Sequence, residues 1–359
     1  MHLLSHSDPI VQQVLDIWLP RFLAGGIEIG DIARTTGQIE GWQEWGPRWM
    51  ETASLHEELG EEAFLEGRTL SATQAFMTAS RCYHLAYFLS VDDLGLHQRG
   101  LEKMVECHDR VLPFERPAVE KVRIPFEGAH LLGLYSRPAV ADRPPVAIVL
   151  PGLDSTKETR HGSRGGLLRR GMAVLSLDGP GQGEMSLTST IRPDYEVAVA
   201  AALDWLAARD DIDANRVGVI GSSLGGYYAA RAAAFEPRVT ATVANCGPFD
   251  WGECFDDLPV VTQEAFRHYS GASSAAEARE RATALTLRGA SIPGPLFVIQ
   301  GGLDPLIPTS HGARIAALGT GEVVYHLEPE GNHGVNNLRY RALPKANDWL
   351  ARHLGGTIA

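Results

Sequence analysis

The first 112 residues repeat apolar side chains at three- and four-residue spacing, which is the pattern of helices that bury one face. The segments with this spacing are Pro9–Leu23, Trp42–Leu59, Ser71–Leu89 and His97–Val111. The segment Thr69 to Ser71 supplies cap chemistry for the third of these helices, through the hydroxyl groups at its two ends. Because runs typical of β-strands are almost absent, this part of the chain predicts an all-helical domain.

The pattern changes at Pro113-Phe114-Glu115-Arg116-Pro117. Proline removes a backbone donor and clashes with the preceding turn, so a helix interior does not continue through this segment. We therefore place a domain boundary here, with a helical N-terminal domain at residues 1–115 and a second domain at residues 116–359.

In the second domain, strand-type and helix-type segments alternate. Val122–Ile124 and Leu131–Tyr135 predict an antiparallel opening pair. Short apolar runs typical of buried strands follow at Val146–Leu150, Ala173–Leu177, Arg216–Ile220, Val239–Ala244, Leu296–Gln300 and Val323–Leu327. Helical patterns occur at Tyr195–Ala208, Leu224–Phe235, Thr309–Ala317 and Arg341–His353. This alternation predicts an α/β domain with a mostly parallel sheet flanked by helices.

Composition narrows the possible partners and locations. The 44 acidic and 32 basic residues give a net charge of −12, which argues against binding to nucleic acid or to an anionic membrane surface. No apolar run is long enough to span a membrane, and no signal-peptide pattern opens the chain, so we expect a cytoplasmic protein. The spacing of Cys82, Cys107, Cys246 and Cys254 predicts reduced, mostly buried thiols. We expect no metal and no cofactor.

A nucleophile motif lies at Gly221-Ser222-Ser223-Leu224-Gly225, between a predicted strand and a predicted helix. In that context G-x-S-x-G forms a tight turn that presents the central serine at the edge of a sheet. Ser223 fits the motif, whereas Ser222 does not, because Ile220 and Leu224 stand two positions before and after it, where the motif requires glycines. The sequence therefore predicts Ser223 as a catalytic nucleophile.

A serine hydroxyl needs a base, and the base needs an acidic partner that orients it. Asp304 follows the predicted strand Leu296–Gln300, and His333 lies in the loop between the last strand and the last helix. Their order after Ser223 is the order expected for this motif. Other histidines are poorer candidates for the base, because they lie too early in the chain or in positions typical of surface or packing histidines. They are His161, His268, His311, His326 and His353.

Two glycine-containing loops follow strands near this edge. The loop after Val146–Leu150 contains Gly152 and Leu153, and it predicts an oxyanion hole made by the amides of Leu153 and Leu224, with Gly152 letting the backbone approach the substrate. A simple glycine turn is the alternative. The loop Asp178–Glu184 has no phosphate-binding pattern, so we interpret it as structural.

These motifs resemble the α/β-hydrolases, and across almost the whole chain the sequence resembles the 2,6-dihydroxypseudooxynicotine hydrolase family of carbon–carbon bond hydrolases. The related polyketide-shortening hydrolases also have a helical N-terminal part. The features that carry the narrower resemblance are Arg21-Phe22-Leu23 with Gly25-Gly26, Trp42 with Trp45, Ala79-Ser80 with Tyr83-His84, and Gly152-Leu153 with Ser155–Glu158. The resemblance implies an α/β-hydrolase fold with an N-terminal all-helical cap domain, and a homodimer.

The resemblance also implies further site residues. An acidic residue after the sixth strand assists catalysis in that family, and Asp257 matches it best, although the relative has glutamate there; a solvated acidic turn is an equal alternative. The helical cap would cover the sheet edge, which makes Tyr83, His84 and Tyr87 candidates for substrate contact. For His84, a structural role in the core is at least as favoured.

The favoured interpretation is a serine hydrolase that cleaves a carbon–carbon bond next to a ketone, in an acyl-aromatic or β-diketone substrate. The route runs through an acyl-enzyme or through water activated directly by His333. A carboxylesterase or lactonase with the same triad is the second interpretation. A non-catalytic ligand-binding protein that kept the fold is the third.

Overall fold

The computed structural model describes residues 4–139 and 142–357. The chain forms two compact units, Met1–Ala118 with Pro259–Ala265, and Val119–Leu258 with Phe266–Ala359. The boundary predicted between residues 115 and 116 lies in the connection between the last helix of the first unit and the first strand of the second. The first three and last two residues of the predicted domains lie outside the described residues.

The first unit is helical, as its apolar spacing predicts. Its helices are α1 (Pro9–Ala24), α2 (Ile29–Thr36), α3 (Trp45–Leu65), α4 (Thr69–Tyr87) and α5 (Leu94–Val111). The Asp8 carboxylate accepts hydrogen bonds from two amides in the first turn of α1, and Asp93 accepts one at the start of α5. These side chains satisfy amides that have no partner inside the helix.

Helix α4 begins differently from the sequence expectation. It starts at Thr69 after Arg68, and no side chain caps it. Because Gly67 has a φ of +74° and the Arg68 amide donates to the Ala63 carbonyl, the turn that ends α3 leads directly into α4. The predicted capping role of Thr69 to Ser71 is therefore wrong, since these residues already lie in the first turn of the helix.

The second unit contains, within the described residues, one eight-stranded sheet in the order β1-β2-β4-β3-β5-β6-β7-β8. The strands are β1 (Glu120–Phe126), β2 (Ala129–Ser136), β3 (Val146–Leu150), β4 (Ala173–Asp178), β5 (Val217–Ser222), β6 (Val239–Asn245), β7 (Leu296–Gly301) and β8 (Val323–Glu328). Strands β1 and β2 are antiparallel, as predicted, and β3 to β8 run parallel. The carboxyl ends of six strands therefore lie along one edge of the sheet.

Helices lie between these strands in the chain or follow the last of them, and residues 260–265 of one of them group with the first unit. They are α6 (His161–Leu168), α7 (Glu196–Ala207), α8 (Leu224–Phe235), α9 (Trp251–Cys254), α10 (Val260–Tyr269), α11 (Ala275–Thr283), α12 (Thr309–Ala316) and α13 (Arg339–Leu354). Leu167 of α6 and Leu350 of α13 pack in one core cluster with Val149, Val243 and Ile299 from three central strands. Burial of these aliphatic side chains stabilises the sheet and holds its carboxyl edge in place.

Strand β8 differs from the buried strand that its apolar run predicts. It is the outermost strand, and Tyr325 and Leu327 are 39% and 43% exposed. Because it has a neighbouring strand on one side only, its side chains are less covered than those of the central strands. The prediction about the four cysteines is confirmed, since all are free and buried. Among the described helices, none combines the length and apolar character that crossing a bilayer requires.

Candidate active site

Ser223 is the single residue between strand β5 and helix α8. Its backbone angles are φ 59° and ψ −131°, a combination that residues other than glycine rarely adopt. Holding such a conformation costs on the order of 1–3 kcal/mol, so the surrounding structure must enforce it. The Ser223 amide donates to the Asn245 carbonyl at 2.9 Å, which anchors the turn to strand β6.

The two glycines of the motif are required by close backbone packing. A Cβ atom on Gly221 would lie 1.9 Å from the carbonyl oxygen of Gly225. A Cβ atom on Gly225 would lie 2.5 Å from the carbonyl oxygen of Leu150, at the end of β3. Larger residues at either position would force the strand, the turn and the helix apart. The structure thus gives the predicted motif its sharp strand-to-helix turn.

Asp304 and His333 are hydrogen-bonded, although 29 positions separate them in the chain. Nδ1 of His333 lies 3.0 Å from Oδ1 and 2.9 Å from Oδ2 of Asp304. The Asp304 side chain is fully buried, and that of His333 is 11% exposed. Oδ1 of Asp304 also accepts hydrogen bonds from the amides of Leu306 and Ile307 at 2.9 and 3.0 Å. The carboxylate is therefore fixed, and it can hold the imidazole in one orientation.

Close packing between two loops brings this pair together. The β7 loop (residues 302–308) carries Asp304, and the β8 loop (residues 329–337) carries His333. A Cβ atom on Gly302 would lie 2.4 Å from the Pro329 carbonyl oxygen. The Leu303 amide donates to the Gly331 carbonyl at 2.9 Å. The glycine and this hydrogen bond let the β7 loop lie directly against the β8 loop.

Asn245, at the carboxyl end of β6, links the serine turn to the β8 loop. Its Nδ2 donates to the Ser222 hydroxyl and to the Gly334 carbonyl, both at 3.1 Å. Within the described part of the chain, no hydrogen bond joins His333 to the Ser223 hydroxyl. The two segments nevertheless meet at one buried amide. Sequence analysis missed this residue, whose only signal was a polar side chain at the end of a buried strand.

We expect Asn245→Ala to lower kcat by about 10-fold and the free energy of unfolding by about 1–3 kcal/mol, because a buried carbonyl and a hydroxyl lose their donor. Steady-state kinetics and urea unfolding measure the two effects. Ser222→Ala is the matched control, because it removes one of the two contacts and keeps the link to Gly334. Equal losses in both variants would contradict a role for Asn245 in holding the β8 loop.

The β3 loop (residues 151–158) lies directly against the serine turn. A Cβ atom on Gly152 would lie 3.0 Å from the Ser222 carbonyl oxygen and 3.2 Å from Cβ of Ser223. Leu153 and Leu224 are buried. Within the described turns and loops, the amides of Leu153 and Leu224 donate to no backbone carbonyl. Two free donors beside a serine are able to stabilise a negatively charged oxygen.

A buried ionic cluster joins the β3 loop to the β4 loop (residues 178–184). Nζ of Lys157 lies 2.7 Å from Glu158, 3.1 Å from Asp178 and 2.7 Å from Glu184. The Lys157 side chain is 1% exposed, and its amide donates to Asp178 at 2.7 Å. Burial raises the pKa of Asp178 to about 7, while the positive charge of Lys157 acts in the opposite direction. This cluster gives the β4 loop the structural role that its sequence predicts.

Removing the lysine should be strongly destabilising. We expect Lys157→Met to lower the free energy of unfolding by about 3–5 kcal/mol, because three carboxylates then lose the buried cation that they share. Urea unfolding followed by circular dichroism measures this. Lys345→Met, on the exposed side of α13, is the control and should change stability by less than about 0.5 kcal/mol. Equal stability of the two variants would contradict this account of the cluster.

Asp257 is an exposed residue that ends a short 3₁₀ helix, Phe255–Asp257, in the segment between β6 and β7. Burial raises the pKa of the Cys254 thiol to about 12, and the carboxylates of Glu253, Asp250, Asp304 and Asp257 add to that shift in decreasing order. The catalytic role of Asp257 stays a prediction.

Tyr83, His84 and Tyr87 lie on α4 in the helical unit, and all three are buried there. The Tyr83 hydroxyl donates to Glu57 at 2.6 Å, and the Tyr87 hydroxyl contacts the sulfur of Met104. The His84 ring packs edge-on against Tyr87. The contacts with Glu57, Met104 and the neighbouring ring give each residue a structural role within its own unit. Contact of the three residues with substrate stays a prediction.

Three of the other histidines, His311, His326 and His353, have partners of the packing type that the sequence predicts, whereas the side chain of His161 lies outside the described part of the chain. His326 contacts Glu328 at 2.8 Å within β8, and His311 accepts a hydrogen bond from the Phe249 amide. Burial lowers the pKa values of His268 and His311. His353 contacts the Trp349 carbonyl. In the described ranges, no three histidine, cysteine or acidic side chains are grouped as metal ligands would be.

Comparison with known proteins gives a consistent relationship. The sequence pattern of the prolyl oligopeptidase family matches residues 166–357, and that of the esterase FrsA-like family matches residues 37–252. The chain is 33% identical over 313 residues to 2,6-dihydropseudooxynicotine hydrolase of Paenarthrobacter nicotinovorans, covering 85% of this chain and 83% of that protein. It is 34% identical over 239 residues to the hydrolyase poxO of Penicillium oxalicum, covering 61% of this chain and 56% of that protein.

Solved structures agree with the sequence relatives. The crystal structure of 2,6-dihydroxy-pseudo-oxynicotine hydrolase superimposes with a TM-score of 0.85 at 30% identity, covering 95% of this chain and 97% of that chain. Each family pattern spans more than half of the chain, and the first relative is similar over most of both sequences. The chain therefore belongs to the α/β-hydrolase superfamily, and it is a hydrolase homologous to 2,6-dihydroxypseudooxynicotine hydrolase.

Proposed function

We propose that this protein is a serine hydrolase that cleaves a carbon–carbon bond next to a ketone, in an acyl-aromatic or β-diketone substrate. The observation that carries the proposal is the similarity to 2,6-dihydropseudooxynicotine hydrolase across most of both chains. The reaction class comes from the family resemblance. The strained turn at Ser223 and the hydrogen-bonded pair of Asp304 and His333 supply suitable chemistry.

In the proposed reaction, the Ser223 oxygen attacks the ketone carbonyl while Nε2 of His333 takes the hydroxyl proton. The Asp304 carboxylate stabilises the resulting imidazolium through Nδ1. The amides of Leu153 and Leu224 hold the negatively charged oxygen of the tetrahedral intermediate. These residues are those that the sequence nominates, and their arrangement in the second unit is compatible with each role.

Collapse of the intermediate breaks the carbon–carbon bond, and the electron pair leaves with the departing carbon. The imidazolium of His333 then gives its proton to that carbon, so the leaving group must be a stabilised carbanion such as an enolate or an electron-rich ring. Water, activated by His333, hydrolyses the acyl group from Ser223. In the alternative route, His333 activates water for direct attack on the ketone.

A carboxylesterase is the second candidate function. The match of residues 37–252 to the esterase FrsA-like family favours it. An ester needs the same attack and the same oxyanion donors, but its alkoxide leaving group needs less help from a proton donor. The two functions therefore differ in the leaving group.

The deciding experiment compares kcat/KM for an acylphenol, a β-diketone and an aryl ester, using the wild-type chain and Ser223→Ala. We expect the wild-type chain to cleave both ketones, and we expect Ser223→Ala to lose this cleavage. Rapid ester hydrolysis without ketone cleavage would favour the esterase and overturn the carbon–carbon assignment.

Asp257 offers a sharper test of the leaving-group step. We propose that its exposed carboxylate binds substrate hydroxyl groups or assists protonation of the departing carbon. Asp257→Ala should slow ketone cleavage by about 10-fold or more, as expected for loss of acid–base assistance, and should affect ester cleavage less. Asp256→Ala is the matched control. Asp256 is the adjacent residue, and its exposed carboxylate forms an ion pair with Arg279. Equal effects of Asp257→Ala on ketone and ester cleavage would contradict this proposal and indicate a structural role for Asp257.

The contacts of Tyr83, His84 and Tyr87 with substrate, and a homodimer, are further proposals that rest on the family resemblance. Alanine substitutions at the three positions should raise KM for the cleaved ketone if they contact substrate. Sedimentation analysis of the whole chain tests the dimer.

A further inference from the structure

The Gln182 side chain in the β4 loop lies behind the peptide that carries the Leu153 amide. Gln182 is 2% exposed. Its Nε2 donates to the Pro151 carbonyl at 2.7 Å and lies 3.3 Å from the Gly152 carbonyl oxygen. One buried amide therefore holds two successive carbonyls of the β3 loop.

The acceptor end of the same side chain is also fixed. Oε1 of Gln182 accepts a hydrogen bond from the Gly179 amide at 2.9 Å and another from the Tyr195 hydroxyl at 2.7 Å. Tyr195 is fully buried and its ring stacks on Tyr228 at 3.8 Å between centroids. Both ends of the Gln182 amide are thus occupied, so its orientation is set by its surroundings and not by solvent.

The peptide between Gly152 and Leu153 is held on several sides. The Gly152 amide donates to the Ser155 hydroxyl at 3.0 Å, and the Gly152 Cα faces the Ser222 carbonyl and Ser223. Lys157 ties the following part of the β3 loop to Asp178 and Glu184, which flank Gln182 in the β4 loop. The β4 loop thus provides a rigid support for Gln182.

In a trans peptide, the carbonyl and the following N–H point in opposite directions. A donor that binds the Gly152 carbonyl therefore turns the Leu153 N–H to the opposite side of that peptide plane. We infer that Gln182 is a positioning residue, which aims the Leu153 amide at the oxygen of the reacting carbonyl. This inference rests on the proposed serine mechanism, because it assigns a task only if Leu153 is an oxyanion donor.

The inference predicts a specific kinetic signature. Loss of an oxyanion donor lowers kcat by about 10²–10³-fold, so misdirecting one should cost at least about 10-fold. Gln182→Met keeps the size of the side chain and removes both of its hydrogen-bonding ends. We expect kcat to fall by about 10–100-fold while KM changes by less than about threefold, because the hydrogen bond to the carbonyl oxygen strengthens in the transition state.

The test uses the whole chain and two kinds of inhibitor. A trifluoromethyl ketone, whose adduct with the serine carries an oxyanion, should bind Gln182→Met less tightly, by the same factor as the loss of kcat. The phenol released from an acylphenol, which makes no adduct and lacks the oxygen of the reacting carbonyl, should bind equally to both proteins as a competitive inhibitor. Tyr227→Phe is the control, because it removes another buried hydrogen bond, to the Pro193 carbonyl, and should keep kcat within about twofold.

Gln182→Glu provides a second test if the methionine variant does not fold. A protonated glutamic acid can still donate to the Pro151 carbonyl, whereas its ionised form repels both carbonyls. The ratio of the kcat of this variant to that of the wild type should therefore fall as the pH rises. A ratio independent of pH would overturn the inference.

Two results separate failure of this inference from failure of the proposed function. If Ser223→Ala retains turnover, the serine mechanism itself is wrong. If Ser223 is essential and folded Gln182→Met keeps kcat within about threefold, the inference about Gln182 is wrong and the proposed function stands. A loss of kcat without a matching loss of trifluoromethyl ketone affinity would likewise overturn the inference.

Discussion

We expect the Ser223→Ala variant to lose about 10⁶-fold in kcat, the loss seen when the serine of a comparable triad is removed. The reason is that no other group between β5 and α8 can form the bond to the carbonyl carbon. Alanine removes only the hydroxyl, and the amide of residue 223 still donates to Asn245. The fold should therefore be kept, which circular dichroism and urea unfolding can verify.

Ser222→Ala is the matched control for this substitution. Ser222 is the last residue of β5, and its hydroxyl accepts a hydrogen bond from Asn245. We expect this variant to keep kcat within about threefold of the wild type, because it loses one hydrogen bond and no reacting atom. Loss of activity in Ser222→Ala with full activity in Ser223→Ala would reassign the nucleophile.

The second large effect is expected for Asp304→Asn, which should lower kcat by about 10⁴-fold. The asparagine introduced by this substitution would be able to keep its oxygen toward the amides of Leu306 and Ile307, which hydrogen-bond Oδ1 of Asp304. Its NH₂ group would then face Nδ1 of His333, which would have to act as the acceptor. Nε2 would carry the proton instead, and it could not act as the base toward Ser223.

This substitution should change the rate much more than the stability. We expect the free energy of unfolding of Asp304→Asn to stay within about 1.5 kcal/mol of the wild type, because the hydrogen bonds of the β7 loop are kept. Asp304→Ala removes those bonds as well and should be less stable. Near-wild-type activity of the asparagine variant would place the acid elsewhere, with Asp257 as the first alternative.

The sheet was highly predictable from sequence because each central strand is a short apolar run between polar turns. Val146–Leu150 forms β3 without any change in bounds, and β4 to β7 differ from their predicted ranges by one or two residues. Strand β8 has the same apolar pattern and lies at the edge. Sequence periodicity reports which residues can be buried, whereas burial itself depends on having a neighbour on both sides.

The helices of the segment between β6 and β7 were harder to predict. Helices α10 and α11 contain many polar side chains, and the first residues of α10 group with the helical unit instead of the sheet unit. Helices of ten and nine residues with this many polar side chains contain few apolar positions from which a periodic stripe can be recognised. The apolar pattern therefore carried no clear signal for either element.

The site shows a similar division between motif and packing. Ser223, Asp304 and His333 could be nominated from the sequence because a strand-end motif and a fixed chain order single them out. Asn245 and Gln182 contact loops that lie 89 and about 30 positions away in the chain. Such contacts depend on how loops from different strands meet, and residue spacing in the sequence does not encode that arrangement.

The central claim is that the Ser223 hydroxyl is the reactive nucleophile of this hydrolase. Covalent labelling with a fluorophosphonate, followed by mass spectrometry of the peptide that contains residues 222 and 223, tests it most directly. We predict a label on Ser223 that is absent from Ser223→Ala, present in Ser222→Ala and blocked by substrate. A label on Ser222, or full substrate turnover by protein that Ser223 labelling has saturated, would contradict it.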